Sequence, residues 1–334
     1  MPPAASAPPA TAQPMHAAAV LLAAVLWGTT GTVAHFAPEG SSPLAIGLAT
    51  FGVGGVVLAA LSARRVLAVL RRRDQLGWVL AGAVGVVLYP AFYYPSMALA
   101  GVAVGNVVAL GSGPIFAALL EWAVERRRPG LRWTIATGIA VVGIALLTIG
   151  GHGGAAEDPG AAPLGVLLAL VAGFGYALYS FAGARLIRRG STASGSMGAL
   201  FLVGAVVCLV GLAVVGVGPL ASPTGVLTIA YLGLVPMALS YLLFGYALRA
   251  LPSTSATTIA LAEPVVATLL AVAIVGERPS AVGWLGLVVV AVGITVLAVR
   301  SPAASRRPRV ASGYKPQTEG DEHDHAGSDD EAPR

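Results

Sequence analysis

The sequence predicts an all-α integral membrane protein of ten transmembrane helices, arranged as two five-helix repeats of opposite orientation. Three observations carry that expectation. The chain is nearly stripped of charge outside its C-terminal end, it holds ten apolar runs of membrane-spanning length, and short strings recur 150 residues apart. Of 334 residues, 56% are hydrophobic and 10% charged, and the mean hydropathy is +0.81. Soluble domains carry about 25% charged residues. Thirteen of the 35 charged residues lie at positions 300–334, so the first 299 residues hold only 22. That is too few to cover a soluble surface, which excludes a water-soluble enzyme, a nucleic-acid reader and a disordered chain. Forty-three glycines fit a tight membrane bundle, where small residues let helix backbones approach.

A helix crossing ~30 Å of hydrocarbon needs about 20 apolar residues. The first 14 residues have no Lys or Arg, unlike the charged start of a secretory signal, so the first apolar run is a retained span. The runs fall at 17–37, 43–61, 78–99, 102–122, 133–150, 164–184, 197–217, 226–248, 253–275 and 282–299. They are long and rich in Leu and Ala, without the alternation of an outer-membrane barrel strand. Residues 1–15 and 301–334 are expected to be disordered cytoplasmic tails flanking the repeats at 16–150 and 163–300. The acid- and Pro-rich tail includes His323-Asp324-His325, which reads as solvated chain rather than a metal site. No metal or cofactor is expected. Cys208, the single cysteine, cannot form an internal disulfide.

The basic residues set the orientation, since arginine-rich loops stay in the cytoplasm. With ten spans and a cytoplasmic N-terminus, one face receives Arg64, Arg65, Arg71, Arg72 and Arg73, then Arg126, Arg127, Arg128 and Arg132. Arg185, Arg188, Arg189, Arg249 and the six basic residues of the tail follow, making nineteen of twenty; Arg278 alone falls opposite. Both termini are therefore expected in the cytoplasm. Trp78, Trp122, Trp133 and Trp284 sit at span ends, where indole favours the interface, and Trp27 lies midway along span one.

The halves share a pattern. PIFAALLEWAVERRRP (114–129) matches PVVATLLAVAIVGERP (264–279), Gly143-Ile144 matches Gly293-Ile294, and Trp27-Gly28 matches Phe174-Gly175. A five-span unit copied in tandem enters the membrane from opposite sides in its two copies, the inverted repeat found in secondary transporters. With WGTTG in span one, the LAEP–VV run in span nine and GERP before span ten, the chain resembles the EamA-type branch of the drug/metabolite transporter superfamily over residues 15–300. The resemblance implies a ten-helix inverted-repeat fold and movement, often export, of small metabolites such as amino acids. The chain departs from the family's usual first-half pattern in having Glu125 followed by three arginines, which bears on how the cytoplasmic end of span four closes.

Polar groups at membrane depth mark candidate ligand sites. A carboxyl at mid-bilayer costs about 2.5–3.5 kcal/mol on insertion scales. Glu263 lies mid-span beside Pro264, a helix-disrupting pair that suits an amine or a proton. Trp27 and Phe174 are candidate cavity-wall aromatics. Tyr89 and Tyr93, four apart in a span that also holds Pro90 and Pro95, share a helix face. Asn106, Tyr176, Tyr179 and Tyr241 complete the expected substrate-binding set, with Ser112, Ser180 and Ser240 as weaker candidates, and Pro114 and Pro264 as kinks. Glu121 reads as a snorkelling surface residue or a loop partner, Glu277-Arg278 as a loop contact at the outer end of span nine, Ser253 as a helix cap, and His35 as an interface residue.

The expected function is secondary transport, with a small molecule as substrate, the bilayer as surroundings, protons as a candidate coupling ion and no nucleic-acid partner. The competing reading is an integral-membrane enzyme or a flippase for lipid-linked substrates. Residues 16–299 hold only His16, His35 and His152, well separated, and no CxxC or Walker-type pattern, which disfavours metal chemistry and ATP hydrolysis. A channel would call for a filter-like loop, and none is evident.

Overall fold

Hydroxyl–proline pairs start several helices. Ser42 precedes Pro43 and accepts from the Ala45 amide at 3.5 Å, while Ser222 precedes Pro223 and accepts from Gly225 at 3.2 Å. Thr192 caps its helix in the same way, accepting from Gly195 at 3.2 Å. Each satisfies an amide that the first helical turn leaves unpaired. The computed structural model describes residues 12–100, 102–150, 161–276 and 278–298.

In chain order the helices are α1 (Ala12–His35), α2 (Pro43–Leu61), α3 (Ala63–Leu70), α4 (Leu76–Ala100), α5 (Val102–Glu125) and α6 (Leu131–Gly150). After residues 151–160 come α7 (Ala162–Arg188), α8 (Ala193–Val215), α9 (Pro223–Leu232), a π-helical stretch (Gly233–Leu239) and α10 (Ser240–Ala247). Then follow α11 (Ser253–Ala260), α12 (Glu263–Leu270), a second π-helical stretch (Ala271–Val275) and α13 (Ala281–Ala298). Among the described residues, eight segments are long and apolar enough to cross a membrane, and two shorter apolar stretches lie at Leu131–Leu147 and Ala281–Leu297. The protein is an all-helical membrane protein.

Four differences from the sequence reading have local causes. α1 begins at Ala12, so residues 12–15 belong to a helix rather than to the N-terminal tail. The arginine loop after α2 holds α3, which buries Val66 and Val69 and leaves its arginines exposed, an amphipathic helix far shorter than a membrane span. The run at 226–248 widens into π geometry around Pro236, while the run at 253–275 breaks at Leu261–Ala262, beside the kink expected at Pro264. Pro114, read as a kink, lies within α5, which continues from Val102 to Glu125. Residues 1–11, the tail from 301, Glu277 and His152, all read above from the sequence, lie outside the described residues.

The packing treats the two halves alike. α2 lies on α8, and α6 on α13. α4 and α5 both pack on α7, while α10 and α12, their counterparts in the second half, both pack on α1. Glycines permit the tightest of these crossings. A β-carbon on Gly143 would lie 2.9 Å from the Gly286 carbonyl oxygen, and one on Gly286 would lie 2.7 Å from that of Gly143. The α6–α13 pair could not close with larger residues there.

Contacts between helix ends gather the arginines on one face. Glu125, ending α5, meets Arg185 and Arg188 at the end of α7. Arg65 of α3 donates to Ser194 near the start of α8 at 3.0 Å. Arg132, opening α6, donates to the carbonyls of Val296 and Leu297 at the end of α13, at 2.7–3.0 Å. Of the four span-end tryptophans, Trp122 and Trp284 are exposed. Trp78 instead lies under Arg185, and Trp133 donates to Thr258 at 3.1 Å.

Candidate functional site

A cavity of about 370 Å³ opens where α1, α2, α4, α5, α7, the first π stretch, α10 and α12 converge. It reaches from mid-span toward the arginine-poor face, since Ala34, Met97, Asn106 and Ala267 of its wall lie toward the helix ends on that side. Its floor is aromatic. Tyr179 and Tyr241 share a hydroxyl–hydroxyl hydrogen bond of 2.7 Å, and both rings pack on buried Phe201. Trp27 closes on Tyr241 at 5.1 Å between centroids. On the opposite wall Tyr89 stacks on Tyr93 at 5.2 Å, and the Tyr93 hydroxyl donates to Asn106 Oδ1 at 2.7 Å. Tyr176 bridges the two groups, 6.0 Å from Tyr89 and 5.4 Å from Tyr179.

Glu263 is the one carboxylate in this lining, which contains no Lys, Arg or His. Its position follows from the break in the helix. α11 ends at Ala260, the chain tightens through Leu261 and Ala262 with three-residue hydrogen bonds of 3.2 and 3.1 Å, and α12 starts at Glu263. Pro264 has no amide hydrogen to return to the Ala260 carbonyl, so one rung of the ladder is missing at the break. Gly28 lets α12 come close; a β-carbon there would lie 2.8 Å from Val266 Cβ. Among the described residues the Glu263 carboxylate has no hydrogen-bond or ion-pair partner.

Eight of the nine expected substrate-binding residues line this one space: Glu263, Trp27, Tyr89, Tyr93, Asn106, Tyr176, Tyr179 and Tyr241. Phe174 does not. Its ring meets Phe116 edge-on at 5.6 Å, on the α5–α7 contact, because the helix turn that points Tyr176 and Tyr179 inward points Phe174 away. Pro264 lines the cavity, and Pro114 does not. Ser112, Ser180 and Ser240 donate to carbonyls of their own helical segments, of Ala109, Tyr176 and Val235. His35 is exposed beside Phe36. The sequence reading missed Tyr94, Thr50, Phe51 and Met237. Thr50 and Phe51 carried a signal, being the one hydroxyl and the one aromatic ring within 43–61.

Opposite the cavity, the arginine-rich face is held shut by polar contacts. Glu121 is buried, with 7% exposure, rather than snorkelling. Its carboxylate accepts from the Ser253 hydroxyl at 2.6 Å, the Thr254 amide at 3.1 Å and the Thr254 hydroxyl at 3.3 Å. The acid of α5 therefore caps α11, while Ser253, expected to cap it, is a first-turn residue that donates outward. One turn on, Glu125 is partly buried, with its carboxylate turned inward. It pairs with Arg188, with Arg185 at 3.2 Å, and more loosely with Arg127 at 3.8 Å. Arg126 closes α5 at φ 57°, the left-handed region, and is the one non-glycine residue there among those described. Of the three arginines after Glu125, Arg126 and Arg127 thus take part in closing the end of α5.

Comparisons with known proteins agree with this architecture. The EamA-like transporter family model matches twice, over residues 15–149 and 163–299. The "Uncharacterized transporter YwfM" of Bacillus subtilis is 35% identical over 293 residues, covering 87% of this chain and 95% of the relative. The "Uncharacterized inner membrane transporter YedA" of Escherichia coli K12 is 25% identical, covering 86% and 92%. A solved crystal structure superposes with a TM-score of 0.72 at 21% identity, over 85% of this chain and 96% of the other, a likeness of fold. With two family domains filling most of its length, the chain belongs to the EamA-like transporter family and is a multi-pass membrane transporter, not an enzyme.

Proposed function

We propose that the protein is a secondary transporter that exports a small metabolite, such as an amino acid or a related amphipathic compound. It works by alternating access between two inverted five-helix repeats in a cell or inner membrane. In this reading ten helices cross the bilayer, with α9 and α10 forming one crossing, α11 and α12 another, and both termini cytoplasmic. One observation carries it: a mid-span cavity extends toward the arginine-poor face, while the Glu121 and Glu125 contacts close the arginine-rich face. That is the geometry of one end state of an alternating carrier. The helix pairing supports two-fold related halves, because exchanging them keeps the α2–α8 and α6–α13 pairs and carries the packing of α4 and α5 on α7 onto that of α10 and α12 on α1. The broken α11–α12 segment and the two π stretches supply places where the second half can change shape. Glu263 exchanges its partner during the cycle, a substrate amine in one state and a proton in another.

Sided thiol labelling in right-side-out and inverted vesicles tests the topology. In a Cys208→Ser background, Arg72→Cys and Gly153→Cys are expected to react with an impermeant maleimide from opposite faces, Arg72→Cys from the cytoplasm. Reaction of both from the same face would remove the inverted repeat and this carrier mechanism with it.

A further inference from the structure

We propose that the cavity selects organic cations, an ammonium or quaternary nitrogen on an apolar ring-bearing body, over zwitterionic amino acids. The proposal rests on the transport reading and, among the amphipathic compounds that reading admits, ranks amines above amino acids.

Charge balance comes first. Glu263 is the one acid in a wall without Lys, Arg or His, and it has no ion-pair partner among the described residues. A cation beside the ionised carboxylate leaves the buried site neutral. A zwitterion leaves one net negative charge and an anion leaves two, at a depth where uncompensated charge is strongly disfavoured. The nearest basic residue in sequence to the lining, His35, is exposed and does not line the cavity.

The rings make the same selection. Eight aromatic side chains line the space, and ring faces attract cations through their quadrupoles, most strongly where water is excluded. A volume near 370 Å³ is in the range that holds a small organic molecule.

A third observation is independent of both. The Tyr176 hydroxyl, the Thr50 hydroxyl and Trp27 Nε1 are buried without hydrogen-bond partners, in residues only 5%, 6% and 8% exposed, and all three residues line the cavity. Native structures seldom leave such groups unsatisfied, and a ligand is the occupant that would satisfy them. The two hydroxyl oxygens accept from the N–H of a primary ammonium, whereas a quaternary nitrogen, without N–H, is held by the carboxylate and the rings alone. Trp27 Nε1 can only donate, and suits an ether, hydroxyl or carbonyl oxygen on the ligand body.

The test uses three probes with the same phenyl ring and two-carbon spacer: phenethylamine, its trimethylated quaternary form, and phenylalanine. Binding is read from tryptophan fluorescence of the full-length protein in detergent, and flux from counterflow in proteoliposomes. Both amines are expected to bind about tenfold or more tighter than phenylalanine. Glu263→Gln is expected to abolish that preference, whereas Phe174→Leu, off the cavity, retains it. Phenylalanine binding as tightly as the amines, or no amine binding at all, overturns the proposal. If Glu263→Gln does not fold, the comparison of the quaternary amine with phenylalanine on the wild-type protein decides alone. Amine binding without any flux would sink the transport reading and leave the cation site standing; phenylalanine flux without amine binding would do the reverse.

Discussion

The two halves answer the same prolines differently. In the first half α4 carries Pro90 and Pro95, and α5 carries Pro114, yet each runs on as one α-helix. In the second half Pro236 lies in a π stretch and Pro264 follows a break. A proline removes one hydrogen bond in either place, so the neighbours decide the outcome. Around Pro114 the backbone is clamped to α7. A β-carbon on Gly113 would lie 2.7 Å from the Tyr176 ring, and one on Gly173 would lie 2.6 Å from the Ala109 carbonyl oxygen. Pro236 and Pro264 instead line the cavity. The first half therefore supplies much of the rigid wall, and the second half supplies the irregular backbone and the carboxylate.

That contrast can be sharpened in order of expected effect. The largest falls on the latch between halves. Glu121→Ala leaves the three donors of Ser253 and Thr254 without their acceptor, an expected loss of about 2 kcal/mol that thermal melting in detergent would register. Glu121→Gln keeps an acceptor oxygen and is expected to lose about half as much. Equal melting for wild type and Glu121→Ala would mean the buried acid is not holding the halves. A smaller effect separates the two prolines. Pro264→Ala restores an amide that can pair with the Ala260 carbonyl, favouring a continuous helix at the break, so turnover is expected to fall about fivefold with the fold intact. Pro114→Ala, inside a helix already continuous, is expected to stay within about twofold of wild type. Counterflow rates giving the reverse ranking would remove the assignment of the mobile element to the second half.

Much of this arrangement was legible in the sequence because charge and hydrophobicity are costly to misplace in a bilayer. The one-sided arginines and the 150-residue offset located the helices and the resemblance between halves, and Glu263, Asn106 and the tyrosines gave themselves away as polar groups at depth. What was not legible depended on rotation and on partners distant in sequence. Phe174 matched Trp27 by position in the repeat, but its ring points to Phe116, and a repeat offset does not fix which way a helix faces the centre. Glu121 looked like a helix-end surface acid because its partners lie 132 and 133 residues away. The break after Ala260 was suggested by Pro264, yet the same logic applied to Pro114 anticipated a kink in a helix that continues.

In the proposed cycle the cavity is reached from one face at a time, with Glu125 helping to keep the arginine-rich face closed. The most direct measurement places a thiol in the cavity wall. In the Cys208→Ser background, Ala267→Cys is expected to react with an impermeant maleimide only from the arginine-poor face. Adding Glu125→Ala, which unpairs Arg185 and Arg188, should open a second, slower route from the arginine-rich face. Labelling from both faces before the latch is cut, or from neither face after it, would contradict alternating access through this cavity.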